Sequence, residues 1–239
     1  MVGPVILTIV GSDGPVPFVI TTVLIAIAAI PVLTSSAPIP TFDDHPGQSM
    51  WALVIRAPAI YSAAFAYGAI EVAFFGLMPV HALTHGMTVN TMALLLTAMA
   101  AGQVVLQVPI GVLSDRFDRR FILMLCALAG IVGMVMLALF PNAGWILAPS
   151  LFIWGGIVVG FYTVGLTILG ERHNGPELVS VNAVFSSFYG LGALVGPSAT
   201  GTVMNMLPAI GLPLCLGIIS ALVLGPITFS WMANPRIRR

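Results

Sequence analysis

One carboxylate interrupts a long apolar stretch of the chain. Glu71 lies near the middle of the apolar run 57–80, and Tyr67 lies four residues earlier, so in a helix the two side chains share a face. A carboxylate surrounded by hydrocarbon costs about 2.5–3.5 kcal/mol on insertion scales. We therefore predict that Glu71 and Tyr67 bind a proton or the cationic group of a substrate. The alternative is a protonated glutamic acid that only bonds a neighbouring helix.

Further polar side chains in later apolar runs are candidates for the same site. Gln103 and Gln107 are four residues apart and share a helical face. They can hydrogen-bond a polar substrate or a neighbouring helix, and the sequence does not decide between these uses. Tyr162 and Asn182 are weaker candidates, because a tyrosine on a packed helix is usually structural and Asn182 lies where it can cap a helix end.

No set of residues predicts a metal site, a cofactor or an enzyme active site. His81 and His85 have a spacing that suits a metal, but no acidic or cysteine partner accompanies them. Cys126 and Cys215 lie in separate apolar runs, where thiols pack as small hydrophobic groups. We therefore expect no metal, no cofactor and no catalytic residue.

A compact charged segment separates two of the apolar runs. Five of the six residues from 115 to 120 are charged, and the apolar runs 92–110 and 121–140 flank them. A short charged connection between two membrane helices has to lie in water at the bilayer surface. Gly111 permits close helix approach, and the Asp115 carboxylate can accept hydrogen bonds from a facing helix end or an arginine. We predict a gating loop, formed by Gly111, Asp115, Arg116, Asp118, Arg119 and Arg120. The alternative is that these charges only fix topology.

Composition places the chain as a whole in a lipid bilayer. Hydrophobic residues make up 59% of the chain and charged residues 7%, and the mean hydropathy is +1.07, whereas soluble domains carry about 25% charged residues. The net charge is zero and no basic patch is interleaved with aromatic residues, which excludes a nucleic-acid-binding surface. The expected partners are the lipid bilayer and a small-molecule substrate, with H+ as the candidate coupling ion.

The apolar runs are long and continuous, which predicts an all-α polytopic membrane protein. A spanning helix needs about 20 apolar residues, and helices are required because lipid cannot satisfy open backbone groups. About seven spans are predicted, at Pro17–Leu33, Ala57–Val80, Thr91–Gly111, Phe121–Phe140, Trp145–Leu169, Leu178–Met204 and Leu212–Met232.

The arginines predict the orientation of this bundle. The chain has no lysine, and threading it through seven spans puts every arginine on one face. Cytoplasmic loops carry an excess of positive charge, so this face and the C-terminus are predicted to be cytoplasmic, in the bacterial inner membrane. The arginines concerned are Arg56, Arg116, Arg119, Arg120, Arg172, Arg236, Arg238 and Arg239.

Two sequence patterns carry a resemblance to a known family. The charged loop matches Gly-x-Leu-x-Asp-Arg-x-Gly-Arg-Arg/Lys at Gly111, Leu113, Asp115, Arg116, Arg119 and Arg120. A second pattern, formed by Gly192, Gly196, Pro197 and Gly201, predicts helix packing and a kink. With these features the chain resembles the major facilitator superfamily, whose members are twelve-helix secondary transporters. It departs from the family signature at Asp118, where the family usually has glycine.

The resemblance implies how the chain is organised. Residues 51–239 resemble the C-terminal six-helix transporter domain, residues 1–37 the end of helix 5 and helix 6 of the N-terminal half, and residues 38–50 the central cytoplasmic linker. This implies an N-terminally truncated chain, for which transport requires the missing N-terminal half or a second subunit. It also implies that the gating loop latches the two halves together on the cytoplasmic side.

Three classes of function compete at this point. The leading interpretation is a secondary transporter of an unidentified small solute that works by alternating access. The second is a non-transporting membrane module, either a half-transporter that needs a partner or a receptor-like bundle. The third, an intramembrane enzyme, lacks a converging nucleophile, base or metal ligand. Solute flux in liposomes separates the first class from the other two.

Overall fold

The computed structural model describes residues 15–34 and 50–233 of the chain. The predictions for residues 1–10, for the linker 38–50 apart from Met50, and for Arg236, Arg238 and Arg239 therefore lie outside the described residues. The chain divides into two compact units, residues 1–44 and 45–239.

The described part of the first unit is a single helix, α1, Val16–Thr34. It has 19 residues, none of them charged, and it coincides with the predicted span Pro17–Leu33. Large apolar side chains, among them Val23, Ile25 and Ile27, are exposed along it. A membrane crossing by α1 stays a prediction.

The second unit is helical throughout its described residues. Its helices are α2 (Met50–Arg56), α3 (Pro58–Thr84), α4 (Val89–Arg116), α5 (Arg119–Leu139), α6 (Gly144–Val158), α7 (Gly160–Arg172), α8 (Gly175–Met206) and α9 (Gly211–Ala233). No strand occurs in residues 15–34 or 50–233.

Six segments of the described residues are long and apolar enough to cross a membrane. Helices α3, α4, α5, α8 and α9 supply five of them. The sixth is α6 together with α7, which are separated only by Val159. The predicted polytopic helical bundle is confirmed, as are the last six of the seven predicted spans.

Local sequence signals account for several helix ends. The Thr88 hydroxyl accepts the Thr91 N–H at 3.2 Å and caps the start of α4. Pro58 and Pro176 lie in the first turns of α3 and α8. Backbone N–H groups in a first turn have no acceptor within the helix, so proline, which lacks this group, loses no hydrogen bond there. In the turn between α3 and α4, Gly86 has φ +66°, a conformation that favours glycine.

Helices α3 and α8 pack backbone against backbone through glycines. A side chain at Gly192 would overlap the carbonyl oxygen of Phe65, and one at Gly196 would meet the backbone of Ala69. Gly68 lies equally close to the carbonyl of Tyr189. Small residues permit this approach in membranes, where dispersion contacts hold helices together. The other predicted positions of this pattern differ: Pro197 lies inside the continuous α8, and a Cβ at Gly201 would meet nothing within 4 Å.

Burial is uneven among the six segments. Helix α3 lies at the centre of the bundle, with Tyr61, Ile70, Phe74 and Met78 almost completely buried. Only 22% of the apolar window of α4 and 17% of that of α8 is buried, against 56% for α3. Helix α8 packs mainly against α3 and helix α4 mainly against α6, and both present their remaining surface outward.

We expect Gly192→Ala to destabilise the bundle by about 1–3 kcal/mol, because the added methyl group forces α3 and α8 apart. The matched control in the same helix is Gly201→Ala, where the methyl group has open space. Reversible unfolding of the purified variants in detergent micelles measures the difference. Equal stability of the two variants would contradict the close approach described above.

Candidate functional site

Both carboxylate oxygens of Glu71 accept hydrogen bonds from side chains of the bundle. The Tyr67 hydroxyl donates to Oε1 at 3.0 Å, and the Tyr189 hydroxyl donates to Oε2 at 2.8 Å. The Gln103 amide Nε2 lies 3.3 Å from Oε1 and donates to it. Helices α3, α4 and α8 therefore converge on one carboxylate.

The same donors also bond and pack against one another. Gln103 Nε2 lies 3.2 Å from the Tyr67 hydroxyl oxygen, so its amide serves both the tyrosine and the carboxylate. Tyr67 is buried and lies one helical turn before Glu71 on α3. This shared face of α3 is the one predicted from the four-residue spacing.

A group of aromatic rings surrounds the carboxylate. The ring centroids of Tyr67, Tyr162 and Tyr189 are 5.8–6.0 Å apart in all three pairs. The Phe185 ring lies 5.3 Å from that of Tyr162. These separations and tilted planes are typical of favourable aromatic packing. Tyr162 brings a fourth helix, α7, to the site.

The Glu71 cluster, which we define as Glu71, Tyr67, Gln103, Tyr162 and Tyr189, contains no cationic side chain. Within the described residues Glu71 makes no ion pair. Three neutral donors face a carboxylate that is partly buried. Such an arrangement can hold a proton, or it can attract a positively charged group in place of one of the donors.

Two of the predicted site residues do not join this cluster. Gln107 lies one turn beyond Gln103 but is exposed. Asn182 lies about two turns before Tyr189 on α8, and its Oδ1 is buried without a partner among the described residues. The alternative role for Asn182, a helix cap, is wrong, because α8 begins at Gly175.

The cluster also contains a residue that sequence reasoning missed. Tyr189 was not predicted as a site residue, although it is a polar side chain in an apolar span. Its link to Glu71 joins residues 118 positions apart in the chain. One sequence signal could have found Tyr189: a polar side chain in the interior of a membrane protein needs a polar partner.

The predicted gating loop is a tight connection between α4 and α5. Helix α4 ends at Arg116, and α5 begins at Arg119. Asp118 caps α5, since its Oδ1 accepts the Arg120 N–H at 2.8 Å. The carboxylate at the position where the family signature has glycine therefore satisfies an N–H of the first helical turn.

Arg119 ties this loop to the end of α7. Its guanidinium donates two hydrogen bonds to the carboxylate of Glu171, one to Asp115 at 3.3 Å and one to the Ser114 carbonyl at 3.4 Å. Paired bonds between arginine and carboxylate fix orientation as well as distance. Glu171 is the second residue that sequence reasoning missed.

The remaining loop residues are placed as follows. Arg120 donates to the Ser230 carbonyl of α9 at 2.7 Å. Arg116 is exposed, and a Cβ at Gly111 would meet nothing within 4 Å. The Asp115 side chain is 65% exposed, so most of its carboxylate remains available to a further donor.

The described arginines gather at one end of the bundle. Arg119 bonds the residue next to Arg172, Arg120 reaches α9, and Arg56 and Arg172 line one cavity. Threading the chain through seven spans predicts this common face for these four arginines and for Arg116, which lies three positions before Arg119.

Comparison with known proteins supplies the family. A family model described as Major Facilitator Superfamily matches residues 1–197 and also residues 60–238. The chain belongs to the Major Facilitator Superfamily. It is a multi-pass membrane protein of a transporter family.

Curated relatives in this superfamily are similar over most of the chain. An uncharacterized MFS-type transporter, YfkF of Bacillus subtilis, is 26% identical over 209 residues, which are 85% of this chain and 53% of the relative. The uncharacterized MFS-type transporter Ent638_1421 of an Enterobacter species is 28% identical over 77% of this chain and 48% of the relative. Another, YE1530 of Yersinia enterocolitica, is 25% identical over 85% of this chain and 53% of the relative. The chain thus spans about half the length of the curated relatives it matches.

We expect Arg119→Glu to loosen the α4–α5 connection, because it removes the bonds to Glu171 and sets like charges against each other. A spin label is attached at position 117 in a chain whose Cys126 and Cys215 are replaced by alanine. Its electron paramagnetic resonance spectrum should then show faster motion of the label. Adding Glu171→Arg to Arg119→Glu should slow the label again. The control is Arg116→Glu, which removes an exposed arginine of the same loop. If the two single variants shift the spectrum equally, the ion pair does not hold the loop.

Proposed function

We propose that this superfamily member moves a small solute across the bacterial inner membrane by alternating access, with Glu71 as the coupling carboxylate. Support comes from the family, whose curated relatives are named transporters. Transport by alternating access uses a site near the bilayer midplane that two helical bodies enclose.

The observation that carries this proposal is the depth and environment of Glu71. It is the central residue of the 27-residue helix α3, so about 20 Å of helix lies on either side of it. Three helices donate neutral hydrogen bonds to its two oxygens. An ionisable residue at membrane depth marks a substrate or proton pathway by default.

In the proposed cycle Glu71 exchanges a proton for the interactions it makes in this structure. When α4 or α8 moves relative to α3, the bonds from Gln103 or Tyr189 are lost and the carboxylate must find another partner. A proton neutralises it at that point and lowers the cost of burial. Solute binding by Gln103 and the tyrosines would then be coupled to proton movement. Gln107 and Asn182 remain candidates for solute binding in a state in which the helices are rearranged.

The α4–α5 loop is proposed to act as the gate. Arg119, held by Glu171, orients Asp115, whose exposed carboxylate can bond a facing helix end on another body of the transporter. The clustered arginines favour a cytoplasmic location for this end and for the C-terminus. Cysteine accessibility at positions 116 and 172 should therefore report the same side of the membrane.

The alternative function is a non-transporting module that binds a partner. The outward surfaces of α4 and α8, which are only 22% and 17% buried, favour a second helical body in either case. We propose that this body completes the pathway, as another six-helix domain or as a second copy of the chain. As a monomer, residues 1–239 are expected to give no solute flux.

Proton binding by Glu71 is testable without knowing the solute. N,N′-dicyclohexylcarbodiimide is a hydrophobic reagent that modifies protonated carboxyl groups. We expect it to label Glu71 in the purified chain, with labelling that rises as the pH falls, as measured by peptide mass spectrometry. The Glu71→Gln chain serves as the control for reaction elsewhere. Absence of labelling at every pH would remove the coupling role.

Coupled transport is tested in liposomes loaded with a pH-sensitive dye. Amines, sugars and carboxylic acids are added singly, and solute-dependent proton movement is recorded for the chain together with its second body. Glu71→Gln should abolish the proton signal, whereas Glu177→Gln, the same change at an exposed position, should retain it. Flux by the monomer alone, or an unaffected Glu71→Gln variant, contradicts the proposal.

A further inference from the structure

A cavity of about 190 Å³ opens at the arginine-rich end of the bundle, away from the Glu71 cluster. It lies between α2, the start of α3 and the end of α7. Sites for drug-sized ligands usually measure about 300–1,000 Å³, so this smaller cavity suits a small polar group. Its lining residues are Leu53, Arg56, Ala57, Ile60, Tyr61, Leu169, Arg172 and His173.

The lining divides into an apolar part and a cationic part. Leu53, Ile60 and Leu169 are buried side chains of the core, whereas Arg56 and Arg172 are exposed. No aspartate or glutamate of the described residues is among the lining side chains. The cavity therefore offers two guanidinium groups beside a hydrocarbon wall, a combination that fits an amphiphile with an anionic head.

Two described carboxylates near the cavity have partners of their own. Glu171 is paired with Arg119, and Glu177 lies 3.1 Å from His173 Nδ1. Arg119 and Arg120 lie near enough to Arg172 to repel it, and Glu171 attracts it. An anion in the cavity would reduce this repulsion.

Helix α2 places the cavity at the lipid surface. Trp51 and Ile55, spaced four residues apart on one face of α2, are 68% and 76% exposed, while Leu53 points into the core. Tryptophan prefers the headgroup region of a bilayer. The exposed apolar face of α2 fits a position against lipid, with Arg56 at the end of the helix near the headgroups.

We propose that this cavity binds the headgroup of an anionic phospholipid, with Arg56 and Arg172 as the groups that bind its phosphate. Arginine matches phosphate geometry with two parallel hydrogen bonds, and basic pockets between helices at the cytoplasmic surface suit such headgroups. His173 adds a third polar residue to the lining, and the acyl chains lie along the outer face of α2. The lipid would hold α2 against α3 and α7.

The test is lipid binding by the purified 239-residue chain, measured by native mass spectrometry. Phosphatidylglycerol and phosphatidylcholine with the same acyl chains are titrated separately. We expect phosphatidylglycerol to bind at least tenfold more tightly. Equal affinity for the two lipids would overturn the proposal.

Variants locate the site within the chain. Arg56→Gln together with Arg172→Gln should lower phosphatidylglycerol affinity about 25-fold, about fivefold for each arginine near the surface. The matched control, Arg116→Gln, removes an exposed arginine that does not line the cavity and should keep full affinity. Replacing both cavity arginines by lysine should restore most of the binding, which separates lost charge from misfolding. Loss of binding in the Arg116→Gln chain to the same extent would show general surface attraction and overturn the assigned site.

A competition experiment identifies the source of the anion. Glycerol 3-phosphate and inorganic phosphate carry the same charged group without acyl chains. At millimolar concentration they should leave phosphatidylglycerol bound. If either displaces the lipid, the cavity is a site for a soluble phosphate compound and the lipid assignment is wrong.

Discussion

The structure depends on the need to solvate one carboxylate inside a hydrocarbon layer. Glu71 is partly buried at the middle of α3, and its polar partners come from the protein. Tyr67, Gln103 and Tyr189 meet that need from three helices. The convergence of α3, α4 and α8 is therefore tied to this carboxylate, because separating the helices would leave it with Tyr67 alone among these three donors.

The close approach of α3 and α8 makes this solvation geometrically possible. Gly68 follows Tyr67 on α3 and lies against the Tyr189 carbonyl, and Gly192 lies against Phe65 one turn further along. With larger residues at these positions, the hydroxyl of Tyr189 would be held farther from Glu71. The glycines thus contribute to the site without a polar atom of their own.

Properties that depend on local spacing could be predicted from the sequence, and those that depend on tertiary contacts could not. Continuous apolar runs predicted the helices, and the four-residue spacing of Tyr67 and Glu71 predicted their shared face. The same spacing suggested that Gln103 and Gln107 act together, but only Gln103 bonds residues of α3, because the crossing of α3 and α4 decides which turn of α4 meets α3. Tyr189 and Glu171 escaped prediction because their partners lie 118 and 52 positions away. Charge sorting predicted correctly that the five described arginines share one end of the bundle, since it depends only on whether the number of crossings between them is odd or even.

Helix α4 carries both Gln103 and Asp115 and runs without a break between them. Twelve residues separate the two positions, a lever arm of about 18 Å. A tilt of about 5° about the loop end would displace the glutamine by about 1.5 Å, enough to weaken a hydrogen bond that is already near the long end of the usual range. A force that tilts α4 at the membrane surface would in this way weaken the bond between Gln103 and Glu71 at the centre of the bilayer, because the helix moves as one body.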